Sequence, residues 1–143
     1  MRVFCLMMAL LVPGLALGAA VEVEDPWVAE PPPGAPVVGG FMLLHNGSDE
    51  DRSLVGARGD NFGKIELHQT VREDGMARMI PQDSIPIPAG STTALEHGGY
   101  HLMLMQPEKT LVAGDRVALE LRFDDGSKVS IEAPVRRMGH MGH

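Results

Sequence analysis

The chain has 143 residues, 22% of them charged, with nineteen acidic against twelve basic side chains and a formal net charge of −7. That acidic excess disfavours nucleic acid and anionic lipid surfaces as partners, and the length suffices for one domain around a single core. The one cysteine is Cys5.

Met1 to Ala20 carries one basic residue, Arg2, then an apolar run broken at Pro13-Gly14, then small residues ending at Ala20. This is the order of a secretory signal peptide, too short and too broken for a good membrane span. The expectation is a leader over 1–20, a folded domain over 21–135 and a flexible tail over 136–143. The mature protein is then exported, with no stable membrane insertion after cleavage near Ala20. Cys5 lies early in the apolar run, so it does not look like a lipid-attachment cysteine. The mature chain is therefore expected to hold no disulfide and to offer no thiolate to a metal.

Val21 to Glu24 alternates as a short strand and leads into Asp25-Pro26-Trp27. Pro31 to Pro36 cannot join a sheet ladder and reads as a stiff connection. Val37 to His45 reads as a strand buried on both faces, ended by the turn residues Asn46 to Asp49. Leu54 to Ala57 is a weaker strand, and Arg58 to Gly63 a loop. Lys64 to Thr70 alternates, with Ile65 and Leu67 on one face and Glu66, His68 and Thr70 on the other. Glu73-Asp74-Gly75 is a turn before Met76 to Ile80. The segment Ile85 to Gly90 is extended but interrupted by proline, which places it at a sheet edge or in a loop. Thr92 to Glu96 is a strand and His97-Gly98-Gly99 a turn.

Tyr100 to Met105 follows, with Leu102 and Leu104 on one face and His101, Met103 and Met105 on the other. Arg116 to Asp124 is the clearest strand, and Asp125-Gly126 turns it back into Lys128 to Ala133. No segment keeps a helical period. Eight or nine short strands separated by turn chemistry predict an all-β Greek-key sandwich or barrel.

The leucines at 102 and 104 read as core, which leaves an imidazole and two thioethers on the reverse face. Imidazole with thioether is a soft donor set suited to copper(I). The spacing then runs His68, ten residues, Met79, twenty-one residues, His101, one residue, Met103.

Here the sequence resembles the PCu(A)C-type periplasmic copper chaperones, whose signature is His-x(10)-Met-x(21)-His-x-Met. The flanks Glu66-Leu67-His68, Ile87-Pro88-Ala89-Gly90, Gly98 to Met105 and Gly114-Asp115 agree as well, and the likeness runs from about Val21 to Val135. It implies a cupredoxin-like single domain that binds one copper(I) through His68, Met79, His101 and Met103. It also implies delivery to the copper-bearing subunit of cytochrome c oxidase, in company with Sco-type thiol proteins. This chain departs from many members at Thr70, where they carry methionine, and at Ile80, where they carry arginine.

Other donors read less directly. Met76 and Met105 are candidates for secondary contacts near the metal. His45 reads as a strand-end histidine, His97 as an exposed turn residue and Met42 as core. The tail, with Met138, His140, Met141 and His143, is a candidate second, looser site for copper(II) as well as copper(I). An electron-transfer blue-copper protein would need a cysteine thiolate, and no serine, histidine and acid constellation stands out for hydrolysis. The expectation is therefore a non-enzymatic metal carrier. A copper-buffering or resistance protein with the same site, or a metal-free β-sandwich interaction module, are the alternatives.

Overall fold

A computed structural model describes residues 20–138. Ten strands build it: β1 Val21–Ala29, β2 Val37–Asn46, β3 Arg52–Arg58, β4 Phe62–Glu73, β5 Met76–Gln82, β6 Ile85–Ile87, β7 Thr92–Leu95, β8 Tyr100–Pro107, β9 Arg116–Phe123 and β10 Lys128–Arg136. Among the described residues no helix is long and apolar enough to cross a membrane.

The strands form one continuous sheet in the order β5-β4-β8-β7-β2-β1-β10-β9-β3-β6, with β8 also paired to β2. The sheet folds over on itself. One apolar cluster draws Leu67, Leu102 and Leu104 from the first half and Leu54, Ile85, Leu119 and Leu121 from the second. The last strand lies parallel to the first, Val28 opposite Val135, while the other long pairings are antiparallel. That is a non-local closure of the Greek-key kind anticipated from the strand pattern.

Two elements differ from the sequence reading. The loop expected over Arg58 to Gly63 shrinks to three residues because Phe62 is buried in the core and pairs with Pro107, which starts β4 early. The opening strand runs past Pro26 to Ala29, with a register shift between Glu24 and Trp27. Asp25 takes a φ of 48° there, in the left-handed region that aspartate tolerates better than most side chains. Pro26 has no N–H to lose, so the break falls where a ladder bond is already absent.

The β4–β5 hairpin sets the position that matters most. Asp74 and Gly75 have φ of 52° and 77°, both positive, as a tight two-residue hairpin turn requires, and Glu73 pairs with Met76 across it. Counting down the ladder, Met79 stands opposite Thr70. A slip of one residue would turn Met79 to the other face.

Candidate metal centre

The outer face of β5-β4-β8-β2, the face away from the leucine core, gathers the polar and sulfur side chains. His68 and His101 are direct cross-strand partners between β4 and β8, with ring centroids 5.8 Å apart. Met103, two residues beyond His101, therefore shares its face and stands opposite Glu66 on one side and Gly39 on the other. Met79 shares the face through Thr70. Three of the four side chains are buried: His68 is 7% exposed, His101 3% and Met103 9%, whereas Met79 on the edge strand is 55% exposed.

The hydrogen bonds decide which nitrogens are free. His68 Nε2–H donates to Glu66 Oε2 at 2.8 Å, since a carboxylate can only accept, and Glu66 Oε1 takes the Lys64 ammonium at 2.7 Å. Lys64 first, and His68 after it, hold the Glu66 carboxyl below its ordinary range, which keeps it ionised. His101 Nδ1–H donates to the Gly99 carbonyl at 3.2 Å. That leaves His68 Nδ1 and His101 Nε2, both buried and both without a hydrogen-bond partner.

Buried polar atoms are seldom orphaned without a reason. A metal bonded about 2 Å from a ring nitrogen sits roughly 3 Å from that ring's centre. Centroids 5.8 Å apart thus leave room for one ion shared by the two rings. Among the described residues no group of three His, Cys, Asp or Glu side chains is placed to hold a metal ion, and the sulfur-bearing side chains on the same face as the two imidazoles include Met79 and Met103.

A cleft of about 210 Å³ opens onto this face, with Thr70, Met79, His101 and Met103 in its wall; His68 does not line it. Gly39 lines it as well, where a side chain would meet the Phe41 ring at 3.0 Å. Glycine at this position lets Phe41 fold over its own strand. Trp27 stacks on Phe41 with centroids 4.7 Å apart, and Phe41 lies 6.4 Å from the His101 ring, so two aromatics shield the imidazole from water.

Burial lowers the pKa of His101, the Gly99 carbonyl opposing it and the charges of His68 and His97 acting in the same direction as burial. The unfolded chain consequently takes up this proton first. The neutral ring's contribution to stability is present above the ordinary histidine value of about 6.5 and is lost as pH falls from there through the lower folded value. In the metal-free protein, the His101 ring followed by NMR should titrate with a midpoint below about 6.5. A midpoint at or above that value would contradict the burial described.

The other expected residues fall in separate places. Met105 lies on the same face, but between Lys64 and Val37, one pair further from the histidines. Met76 is opposite Glu73, three residues from Met79 and therefore on the reverse face, 70% exposed, which sets it apart from the histidine pair. Ile80 is likewise on the face opposite Met79, whereas Thr70 is in the cleft wall, so of the two departures only the threonine meets the site. His45 is tied to Thr92 Oγ1 and Glu24 Oε2, each at 2.6 Å, and Met42 is in the core. Met138 reaches the cleft, while His140, Met141 and His143 lie outside the described residues, as do residues 1–19 of the expected leader. Sequence reasoning did not bring Trp27, Phe41 or His97 to this site. Only Phe41, two residues from Gly39 on a strand pairing with the histidine strand, carried any local hint of it.

A sheet folded around a leucine core, with imidazoles and thioethers on its outer face, defines a cupredoxin-like domain bearing a soft-donor cleft. Residues 21–135 match the family model described as "Putative lipoprotein LpqE-like". A protein of Leifsonia xyli subsp. xyli, itself named as a lipoprotein, is 35% identical over 117 residues, 81% of this chain and 69% of that protein. The apo PCuAC domain from PmoF1 superposes with a TM-score of 0.71 at 23% identity, over 83% of this chain and 95% of that domain. The solution structure of copper(I)-bound DR1885 from Deinococcus radiodurans matches with a TM-score of 0.64 at 30% identity, over 86% of this chain and 83% of that one. The chain belongs to the LpqE-like family and has the fold of a PCuAC domain.

Proposed function

We propose that this protein is an exported copper chaperone that carries one copper(I) ion on His68, Met79, His101 and Met103 and delivers it to the copper-bearing subunit of cytochrome c oxidase, with a Sco-type dithiol protein as companion. The observation that carries the reading is the pair of facing, buried imidazoles whose free nitrogens have no partner, set beside a buried and an exposed thioether. The copper(I) form of DR1885 supports the choice of metal and oxidation state. The lipoprotein descriptions of the family and of the Leifsonia relative support export, and the signal-peptide order of Met1 to Ala20 points to the periplasm.

Copper(I) is soft and imposes no square-planar geometry, so neutral imidazoles and thioethers suit it, while zinc prefers thiolate, imidazole or carboxylate. The unequal burial of the donors gives release a direction. His68, His101 and Met103 hold the ion from below, and Met79 on the edge strand is the ligand that a partner's thiolate reaches first. Thioethers also do not form disulfides, so the carrier tolerates an oxidising compartment.

The chaperone reading is tested by direct transfer. The loaded protein should metallate a reduced apo acceptor domain of the oxidase, or a Sco-type dithiol protein, while a chelator holds free copper negligible. Transfer no faster than from the chelator alone would instead indicate a buffering protein with the same site.

Glu66 offers a separate check on the ligand geometry. Its carboxylate fixes the ring of His68 and its tautomer, and removing such an outer partner typically costs ten- to a hundredfold in metal affinity. Glu66→Ala should weaken copper(I) binding by about that factor, read by competition with a chromophoric chelator. Parent-like affinity would mean that His68 does not bind through Nδ1.

A further inference from the structure

His97 lies in the turn between β7 and β8, is exposed, and stands in the wall of the same 210 Å³ cleft as Met79, His101 and Met103. Its backbone is well held. Glu96 N–H donates to the Tyr100 carbonyl at 2.8 Å, Gly99 N–H to the Glu96 carbonyl at 3.0 Å, and Thr70 N–H to the Gly99 carbonyl at 3.0 Å, which pins the turn to β4. Gly98 supplies the φ of 86° that the turn needs. Met138 lines the cleft as well, 39% exposed. His97 and Met138 recur together in an adjoining cleft of about 480 Å³, which Trp27, Phe41 and Asp25 also line.

The donors thus fall into two tiers. His68, His101 and Met103 are buried, while Met79, Met138 and His97 are exposed around the mouth. We propose that His97, with Met79 and Met138, forms an outer copper(I) position at the mouth of the cleft, through which the ion passes on its way to and from the buried donors. This rests on the copper-carrier reading above and extends it to the route of entry and exit.

The chemistry is ligand exchange without redox change. The bonds from copper to His68, His101 and Met103 give way to bonds to His97 and Met138 while Met79 stays bound, so the ion passes from four donors to three and keeps neutral soft ligands throughout. The inner and outer tiers share Met79, which has the conformational freedom of an unbranched thioether to follow the ion between them. His97 is an imidazole on a fixed turn, so it supplies a stationary point, and Met138 supplies an exposed thioether in the same wall. All three line one cleft of about 210 Å³.

A donor used in transit lowers the barrier for loading and unloading alike, so its loss slows both while their ratio, the equilibrium affinity, is largely kept. An inner ligand behaves differently, because its loss speeds release and weakens affinity. The test uses the mature chain under anaerobic conditions, with stopped-flow loading from a copper(I)–chelator complex and unloading to a stronger chelator. Trp27, the one tryptophan, is a built-in reporter, since it stacks on the Phe41 ring that neighbours His101.

His97→Ala combined with Met138→Leu should slow both steps by about tenfold while affinity changes by less than about threefold. His97→Met, which replaces the imidazole with a thioether, should restore most of the rate. Parent-like rates in the double variant would overturn the proposal, and so would a loss of affinity as large as that of His101→Ala, which would move His97 to the inner set. A parent protein that binds no copper(I) would defeat the carrier reading itself, before any difference in rates could be measured.

Discussion

Met103→Leu and His101→Ala are each expected to weaken copper(I) binding by at least about a hundredfold, more than the loss of an outer partner usually costs. Leucine keeps the bulk of methionine and removes only the sulfur. Met103 is 9% exposed and opposite Gly39, so the substitution leaves the packing nearly intact, and a volume-conserving exchange of this kind usually costs less than about 1.5 kcal/mol of stability. His101→Ala removes a ring whose Nε2 has no hydrogen-bond partner in the protein, so on the proposed assignment the loss at that atom is a loss of metal binding. A hundredfold change corresponds to about 2.7 kcal/mol of binding free energy. Anaerobic competition against a chromophoric copper(I) chelator reads it directly. If both variants bind as tightly as the parent, the outer face of β8 is not the metal site.

One residue along the same strand, the effect should change in kind. Leu102 is fully buried and points into the leucine core, so Leu102→Ala leaves a cavity among Leu67, Leu104 and their neighbours. Such truncations cost about 2–5 kcal/mol, a large share of the roughly 5–15 kcal/mol that holds a domain of this size together. A chemical denaturation curve of the metal-free protein should show a lower midpoint with an unchanged slope. Below the unfolding transition, copper affinity should stay within a few fold of the parent. A Leu102→Ala protein as stable as the parent would mean that the strand's faces are assigned the wrong way round.

The two faces of β8 were legible because strand geometry has a period of two and the apolar face has only one destination. Leucines at 102 and 104 had to point inward, which sent His101 and Met103 outward without any knowledge of the neighbouring strands. The hairpin at Asp74-Gly75 was readable as a turn, but its register was not. It took the φ of both turn residues to place Met79 opposite Thr70 and to send Met76 to the reverse face. The strand count of eight or nine fell short of ten for a related reason, since Ile85–Ile87, read only as sheet edge or loop, is too short to show a period and gains its identity from pairing with β3.

The cover over the site was harder to foresee. Trp27 and Phe41 come from strands far apart in sequence from His101, and Trp27 reaches Phe41 only after the register shift in β1. His97 looked like any exposed turn histidine, because nothing local says which turn borders which cleft. Glu66 was visible on the His68 face, and its hold on Nε2 is a local contact between residues two apart on β4, with Lys64 on its other oxygen. Non-local pairing decided the placing of Trp27, Phe41 and His97.

Copper K-edge X-ray absorption on the copper(I)-loaded mature protein tests the central claim most directly, because it counts the atoms bound to the metal. Two nitrogen and two sulfur scatterers around one copper(I) per chain are predicted. A shell of nitrogen and oxygen alone, with no sulfur, would contradict the assignment of Met79 and Met103.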